Sequence, residues 1–370
     1  MIEEKKNSII KGEILFIDPS PINERYGGST ICLLELLVQL RGSGWKESAK
    51  VLFLYPNIIS KKFDKIDGIE TLNLFKKYSS NTKIERWKKY LFFFLYLYRS
   101  KNISLIVINS RLGSGRFAIF LSQLFNIPVV VHERLESKVS YLEKYFFDRV
   151  KIITMSDYLK KNLTNQNLSS KNIITVYDGV KSKKLKNDNN SKENNVIMVG
   201  NIMPWKGQEV FVKSYKYLKT KNVKYYLAGE IFDDIYFSKI SKYIDGKNIT
   251  HLGFVDDILF CIKKHKILVH ASQKPEPFGR TIIEAMSMGV SVIASNTGGP
   301  KESIKNNITG YHFDSMSPKD LADRIDFIFN NKEKTNEVIN NAFKEVENVF
   351  NIEKSSEKIL DIYKFSKKQY

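Results

Sequence analysis

The chain has 370 residues, 42% of them hydrophobic and 12% aromatic, enough for the cores of two ordinary domains, and this argues against global disorder. Lysine and arginine total 59 against 40 aspartate and glutamate, a net charge of +19, which favours polyanionic partners such as phosphorylated ligands, an anionic membrane or nucleic acid. Cys32 and Cys261 are the two cysteines; they form no metal or redox spacing and read as buried thiols of a reducing compartment.

The polar start MIEEKKNSIIKGE runs directly into an apolar strand, so no signal peptide is expected. No apolar run approaches the ~20 residues that span a bilayer. The expectation is a cytoplasmic protein, attached at most to a membrane surface.

Ile14–Asp18 is a continuous apolar run, as for a strand buried on both faces. The loop PSPINERYGGS follows, then a helix predicted from Thr30 to Leu40, with a core face of Cys32, Leu33, Leu36, Leu37 and Leu40. Strand, Gly27-Gly28 loop and helix N-terminus open a nucleotide-binding α/β unit, although the loop is not G-x-G-x-x-G and could be a tight turn only. Val51–Tyr55 reads as the next strand. Residues 82–101, TKIERWKKYLFFFLYLYRSK, are apolar and aromatic between flanking lysines and arginines. Such a segment is either a helix buried against the sheet or one lying in a membrane interface.

Further strands are predicted at Leu105–Asn109, Ile127–Glu133, Val150–Ser156 and Ile173–Gly179, with a Gly-bearing loop at Ser110–Gly115 and a helix at Arg116–Phe125. His132 stands at the carboxyl end of its strand. Residues 179–194, GVKSKKLKNDNNSKEN, have almost no apolar content and read as a linker. A second strand–helix series follows, with strands at Asn195–Gly200, Lys224–Gly229, Asn248–Gly253, Ile267–His270 and Val290–Ser295. The fold class is therefore α/β, with two Rossmann-like, doubly wound domains: residues 1–178, then the linker 179–194, then residues 195–350. A C-terminal helix over 351–370 is expected to pack back across the domain junction. A ligand would sit in a cleft between the domains, outside the carboxyl ends of the strands.

The richest stretch is Ala271–Met288, ASQKPEPFGRTIIEAMSM. Pro275 and Pro277 place Glu276 on a loop. Phe278-Gly279-Arg280 leads into a helix that carries Thr281 and Glu284 and stops at Gly289. The helix start offers free backbone N–H groups to an anion. Arg280 and Glu284, four apart, could equally form a surface pair.

This stretch resembles the two-glutamate signature of retaining glycosyltransferases of the GT-B fold, family 4. VGNIMPWKG, YYLAGE, HLGFVDD, SVIASNTGGPKESI and NNITGYHF extend the resemblance, and YGGS, VVVHE, IITMSDYLKKNL and ITVYDGV of the first domain follow in the family's order. The resemblance implies a nucleotide-diphosphate sugar donor, UDP- or GDP-linked, and a saccharide or lipid-linked saccharide acceptor in bacterial surface polysaccharide synthesis. It implies catalytic roles for Glu276 at the donor sugar, His132 at the reacting centre and Lys206 on the diphosphate. It also implies donor contacts from Gly27, Gly28, Phe254, Val255, Phe278, Gly279, Arg280, Thr281 and Glu284, the last on the ribose. Glu133, next to His132, could be the polar group instead.

The chain departs from the family at Asn201, where many relatives have a basic residue, and Arg280 is a candidate replacement. No D-x-D, H-E-x-x-H or P-loop motif occurs, so neither an essential metal nor a cofactor is expected. The basic charge is spread out with no recognised nucleic-acid motif, so no nucleic-acid partner is expected. Residues 82–101 could meet an anionic membrane surface. A nucleotide-sugar epimerase or hydrolase of the same fold, and a non-catalytic nucleotide-sugar-binding module, are the alternatives.

Overall fold

The computed structural model describes residues 12–19, 28–55, 59–75, 83–141, 143–147, 149–182 and 194–368, with the side chains of 83–86 left aside. Gly27 and residues 183–193 of the expected linker lie outside the described residues. The chain divides into two compact units, Met1–Tyr177 with Ile352–Tyr370, and Asp178–Asn351.

The first unit contains β1 (Glu13–Asp18), α1 (Gly28–Gly42), β2 (Ala49–Phe53), α2 (Ser60–Phe63), β3 (Ile69–Asn73), α3 (Lys83–Arg99), β4 (Ile103–Ser110), α4 (Leu112–Leu124), β5 (Val129–Glu133), α5 (Glu143–Phe147), β6 (Lys151–Thr154), α6 (Asp157–Thr164) and β7 (Ile173–Thr175). The strands form one parallel sheet in the order β3-β2-β1-β4-β5-β6-β7. Side chains alternate between its faces. Ile14 and Phe16 of β1 face Leu33, Leu36, Leu37 and Leu40 of α1, whereas Leu15 and Ile17 share a core with Phe93 and Leu97 of α3 and Ile119 and Leu121 of α4. With both faces covered, the strands read as unbroken apolar runs.

Two sequence expectations need correction here. The loop expected at Ser110–Gly115 is helical from Leu112, four residues before the expected helix start at Arg116. Gly113 and Gly115 look like loop residues, but Gly115 serves close packing: a Cβ there would lie 2.7 Å from Ile108 Cδ1. The Glu133 carboxylate accepts the Leu112 N–H at 2.7 Å, supplying the cap that the sequence around 111 lacks. The strand expected at Val51–Tyr55 runs instead from Ala49, paired with Ile14, to Phe53.

The second unit contains β8 (Asn195–Val199), α7 (Gln208–Ser214), β9 (Lys224–Ala228), α8 (Asp234–Ser241), β10 (Ile249–Gly253), α9 (Ile258–Lys263), β11 (Ile267–His270), α10 (Arg280–Ser287), β12 (Ser291–Ser295), α11 (Pro300–Ser303), β13 (Tyr311–Phe313), α12 (Pro318–Asn330) and α13 (Lys332–Asn348). Its sheet is also parallel, ordered β10-β9-β8-β11-β12-β13. The order reverses between β8 and β11, so the loops leaving those two adjacent strands diverge and open a crevice at their carboxyl ends. The last helix, α14 (Ile352–Lys368), belongs to the first unit. Its Ile359 and Tyr363 enter the core beside α1, and the Tyr363 ring stands edge-on to Phe16 at 6.0 Å, a geometry worth about 0.5–1.5 kcal/mol beyond area burial.

Candidate active site

The loop after β8 forms a 3-10 turn, Pro204–Lys206, with proline at its first position, and stops at Gly207. Gly207 has φ +81°, and a Cβ there would lie 2.1 Å from the Ala271 carbonyl oxygen. Only glycine allows this loop to lie against the end of β11. Gln273 N–H donates to the Trp205 carbonyl at 2.8 Å, joining the β8 and β11 loops a second time.

These two loops bring Lys206 to Glu276. Lys206 Nζ is 2.7 Å from Glu276 Oε1 and 4.4 Å from the centroid of the Trp205 ring. His270, the last residue of β11, sets its Nε2 3.3 Å from the same Oε1, and the Ser272 hydroxyl donates to it as well. Both His270 and Glu276 are buried. Burial disfavours the charged form of Glu276, but His270 and Lys206 outweigh it and hold the carboxyl below its ordinary range. The glutamate is therefore ionised and fixed.

Gly279 then takes φ +87° and starts α10, and its carbonyl accepts the Ile282 N–H of the first turn at 2.9 Å. Arg280 Nε donates to Glu284 Oε1 at 2.7 Å. The sequence allowed a surface pair here. The pair forms, but its side chains are only 15% and 11% exposed, so it is largely buried. Both expected diphosphate cations, Lys206 and Arg280, thus already hold carboxylates. Phe278 is buried edge-on to Phe350, and Thr281 is half-buried on the first turn of α10. Phe254 and Val255 follow β10, the former exposed and the latter half-buried. Asn201, where a basic residue was expected, is exposed just after β8. Among the described residues no cluster of His, Cys, Asp and Glu has the arrangement of a metal site.

The first unit holds His132 and Gly28. Gly28 begins α1, and a Cβ there would meet nothing within 4 Å. His132 is the next-to-last residue of β5 and is buried. Its Nε2 lies 2.7 Å from Tyr363 Oη and its Nδ1 3.4 Å from Arg134 Nη2. A guanidinium can only donate, so Nδ1 accepts and Nε2 carries the proton toward the tyrosine oxygen. Arg134 Nε also donates to Asn109 Oδ1 at 3.1 Å, and Asn109 Nδ2 donates to Asp18 Oδ2 and to the Ser29 carbonyl, both at 3.0 Å. This chain of polar groups spans the point between β1 and β4 where the first sheet reverses its order. Glu133 points elsewhere, to the start of α4, and burial raises its pKa to about 7 despite donors from Ser137 and Leu112.

Sequence reasoning singled out Lys206, Glu276, Arg280 and Glu284, which the second unit brings together as two ion pairs. It missed His270, Ser272, Arg134 and Tyr363. His270 had a usable signal: like His132, it is a polar residue at the carboxyl end of a buried strand.

Residues 180–345 match the family model described as Glycosyl transferases group 1. An uncharacterized glycosyltransferase of Methanocaldococcus jannaschii, MJ1178, is 27% identical over 248 residues, covering 63% of this chain and 68% of that protein. The capsular polysaccharide biosynthesis glycosyltransferase CapM of Staphylococcus aureus is 27% identical over 249 residues, covering 59% of this chain and 64% of CapM. The solved structure of Anabaena Alr3699/HepE in complex with UDP-glucose superposes with a TM-score of 0.78 at 20% identity, covering 95% of this chain and 99% of the other. That likeness shows the fold, two parallel-sheet Rossmann-like domains of the GT-B kind. The family match covers residues 180–345, just under half of the chain and all within the second unit, and the likeness to proteins named glycosyltransferases supports a transferase.

Proposed function

We propose that this enzyme is a retaining glycosyltransferase of the family 4 type, moving a sugar from a nucleoside-diphosphate donor to an acceptor hydroxyl. The observation that carries the reading is the convergence of Lys206 and Glu276 at the β8/β11 switch point, beside the α10 N-terminus and Glu284. A switch-point crevice with a lysine, a helix N-terminus and two fixed carboxylates suits a ligand with sugar, diphosphate and ribose in line. Glu276 takes the sugar end and Glu284 the ribose. Lys206 and the first-turn N–H groups offset the charge that develops on the leaving diphosphate, without a metal ion. HepE, crystallised with UDP-glucose, supports a UDP-linked donor.

In the reaction the bond from the anomeric carbon to the diphosphate oxygen breaks, and its electron pair leaves with the diphosphate. The acceptor oxygen bonds to the anomeric carbon on the same face and passes its proton to a leaving phosphate oxygen. Configuration is retained without a covalent intermediate.

We place the acceptor in bacterial surface polysaccharide synthesis at the inner, cytoplasmic face of the plasma membrane. CapM supports the pathway. The membrane position is supported by α3, which buries Phe93 and Leu97 but exposes Trp87, Leu91, Phe92 and Tyr98 beside Lys88 and Arg99. No helix among the described residues is long and apolar enough to cross a membrane.

The test is a thermal-shift panel of UDP, GDP, ADP and their hexose conjugates. One nucleotide series should stabilise the protein, and Glu284→Ala should weaken that nucleotide at least tenfold while Glu276→Ala spares nucleotide binding and abolishes transfer. No stabilisation by any of them sinks the donor-site reading. Turnover of the nucleotide sugar at full rate without any acceptor would instead indicate an epimerase or hydrolase.

A further inference from the structure

We propose that His270 is a positioning residue of the transfer reaction, holding Glu276 so that one carboxylate oxygen is committed to the protein and the other is presented to the donor sugar. This rests on the reading of Glu276 as the sugar-contacting group.

Oε1 of Glu276 is crowded. Lys206 Nζ at 2.7 Å, His270 Nε2 at 3.3 Å and the Ser272 hydroxyl all converge on it. A carboxylate oxygen has about two lone-pair sites, so a further donor, such as a sugar hydroxyl, must be received by Oε2. His270 is the rigid member of the three. Lysine reaches Oε1 on a flexible stem and serine can rotate its hydroxyl, whereas the imidazole is 5% exposed and fixed at the end of a central strand paired on both sides.

The polarity of the contact also follows from the structure. His270 Nδ1 is buried with no hydrogen-bond partner among the described residues. A proton on Nδ1 would be stranded, and a bare Nε2 would face a carboxylate oxygen. The proton therefore sits on Nε2 and points at Glu276. The same nitrogen lies 3.6 Å from where a Cβ on Gly279 would stand, so the ring also abuts the residue that starts α10. One strand-end side chain thus fixes the orientation of Glu276 beside the helix start.

The experiment compares wild type, His270→Ala and His270→Gln, whose amide N–H can stand in for Nε2–H. The donor is the hexose conjugate that most stabilises wild type among the UDP, GDP and ADP series. Two quantities are read: kcat for nucleotide release from that donor, and Kd for the nucleoside diphosphate alone. His270→Ala should lower kcat at least tenfold with nucleotide Kd within about twofold, and His270→Gln should restore most of the rate. Unchanged kcat in His270→Ala overturns the inference alone. So does a loss of nucleotide affinity in both variants that parallels a fall in Tm, because that marks a merely structural histidine. Wild-type protein that neither binds a nucleotide nor releases one overturns the donor-site reading and this inference with it.

Discussion

Lys206 and Glu276 are seventy residues apart in sequence and 2.7 Å apart in space, Nζ to Oε1. The pair is mostly buried, at 20% and 11% side-chain exposure, so removing one member leaves the other without its counter-charge. Lys206→Met is expected to destabilise the second unit by about 3 kcal/mol, the low end for a broken buried pair, because His270 and Ser272 still donate to Glu276. Urea denaturation would read this as a lower midpoint at unchanged m-value. A midpoint within error of wild type would mean that the pair contributes little to the resting fold.

The ionised state of Glu276 has a pH signature. Its folded carboxyl is held below the ordinary value of 4.5, so the unfolded chain binds the proton more readily. The stability that this gives is fully present above about pH 5 and is lost as pH falls through 4.5 toward the folded value. Glu276→Gln should flatten that part of the stability profile between pH 6 and 3. A variant with the same acid slope as wild type would assign the slope to other carboxylates.

Glu133 titrates in the opposite sense. Burial raises its folded pKa from 4.5 to about 7, so the native state binds the extra proton. Its contribution is present below pH 4.5 and lost as pH rises to about 7, by about 3 kcal/mol in total. Glu133→Gln keeps an oxygen for the Leu112 N–H and removes the titration. The variant should gain stability relative to wild type at pH 8 and show no gain at pH 4, as read by denaturant midpoints. An equal change at both pH values would make the effect one of packing.

The exposed face of α3 should bind anionic vesicles. Reversing Lys88 and Lys89 to Glu removes two cations from a juxtamembrane surface, each worth about 1 kcal/mol, so partitioning should fall by about thirtyfold or more. Co-sedimentation with phosphatidylserine-containing liposomes measures it directly. Trp87→Ser with Leu91→Ser should weaken binding while leaving the salt dependence intact. Sedimentation that neither change alters would free α3 of any membrane role.

The central strands were legible because both faces are covered: Leu105–Asn109 and Ile267–His270 are apolar up to a polar last residue. The edge strands Ile69–Asn73 and Tyr311–Phe313 escaped notice, the first because it is only partly buried and the second because it is three residues long. The α4 start was misread because a glycine that permits helix–sheet contact looks the same in sequence as one that makes a turn. Residue types at the site were legible, but their partners were not. Nothing local in PWKG or KPEPFG says that Lys206 meets Glu276. That contact follows from β8 lying next to β11, which only the sheet order supplies. His270 was hidden by its own strand, where it reads as the end of an apolar run.

The seventeen residues of α14 are the last described in the chain, yet they complete the core of the unit that begins it. During synthesis the ribosome must therefore deliver the whole of the second unit before the first can close. The second unit has all of its strands in one uninterrupted stretch and is free to fold in the meantime. The first must wait with the α1 side of its sheet uncovered where Ile359 and Tyr363 will pack, a binding opportunity for chaperones during that interval. A nonsense mutation just after residue 351 would leave the second unit whole and the first permanently unfinished.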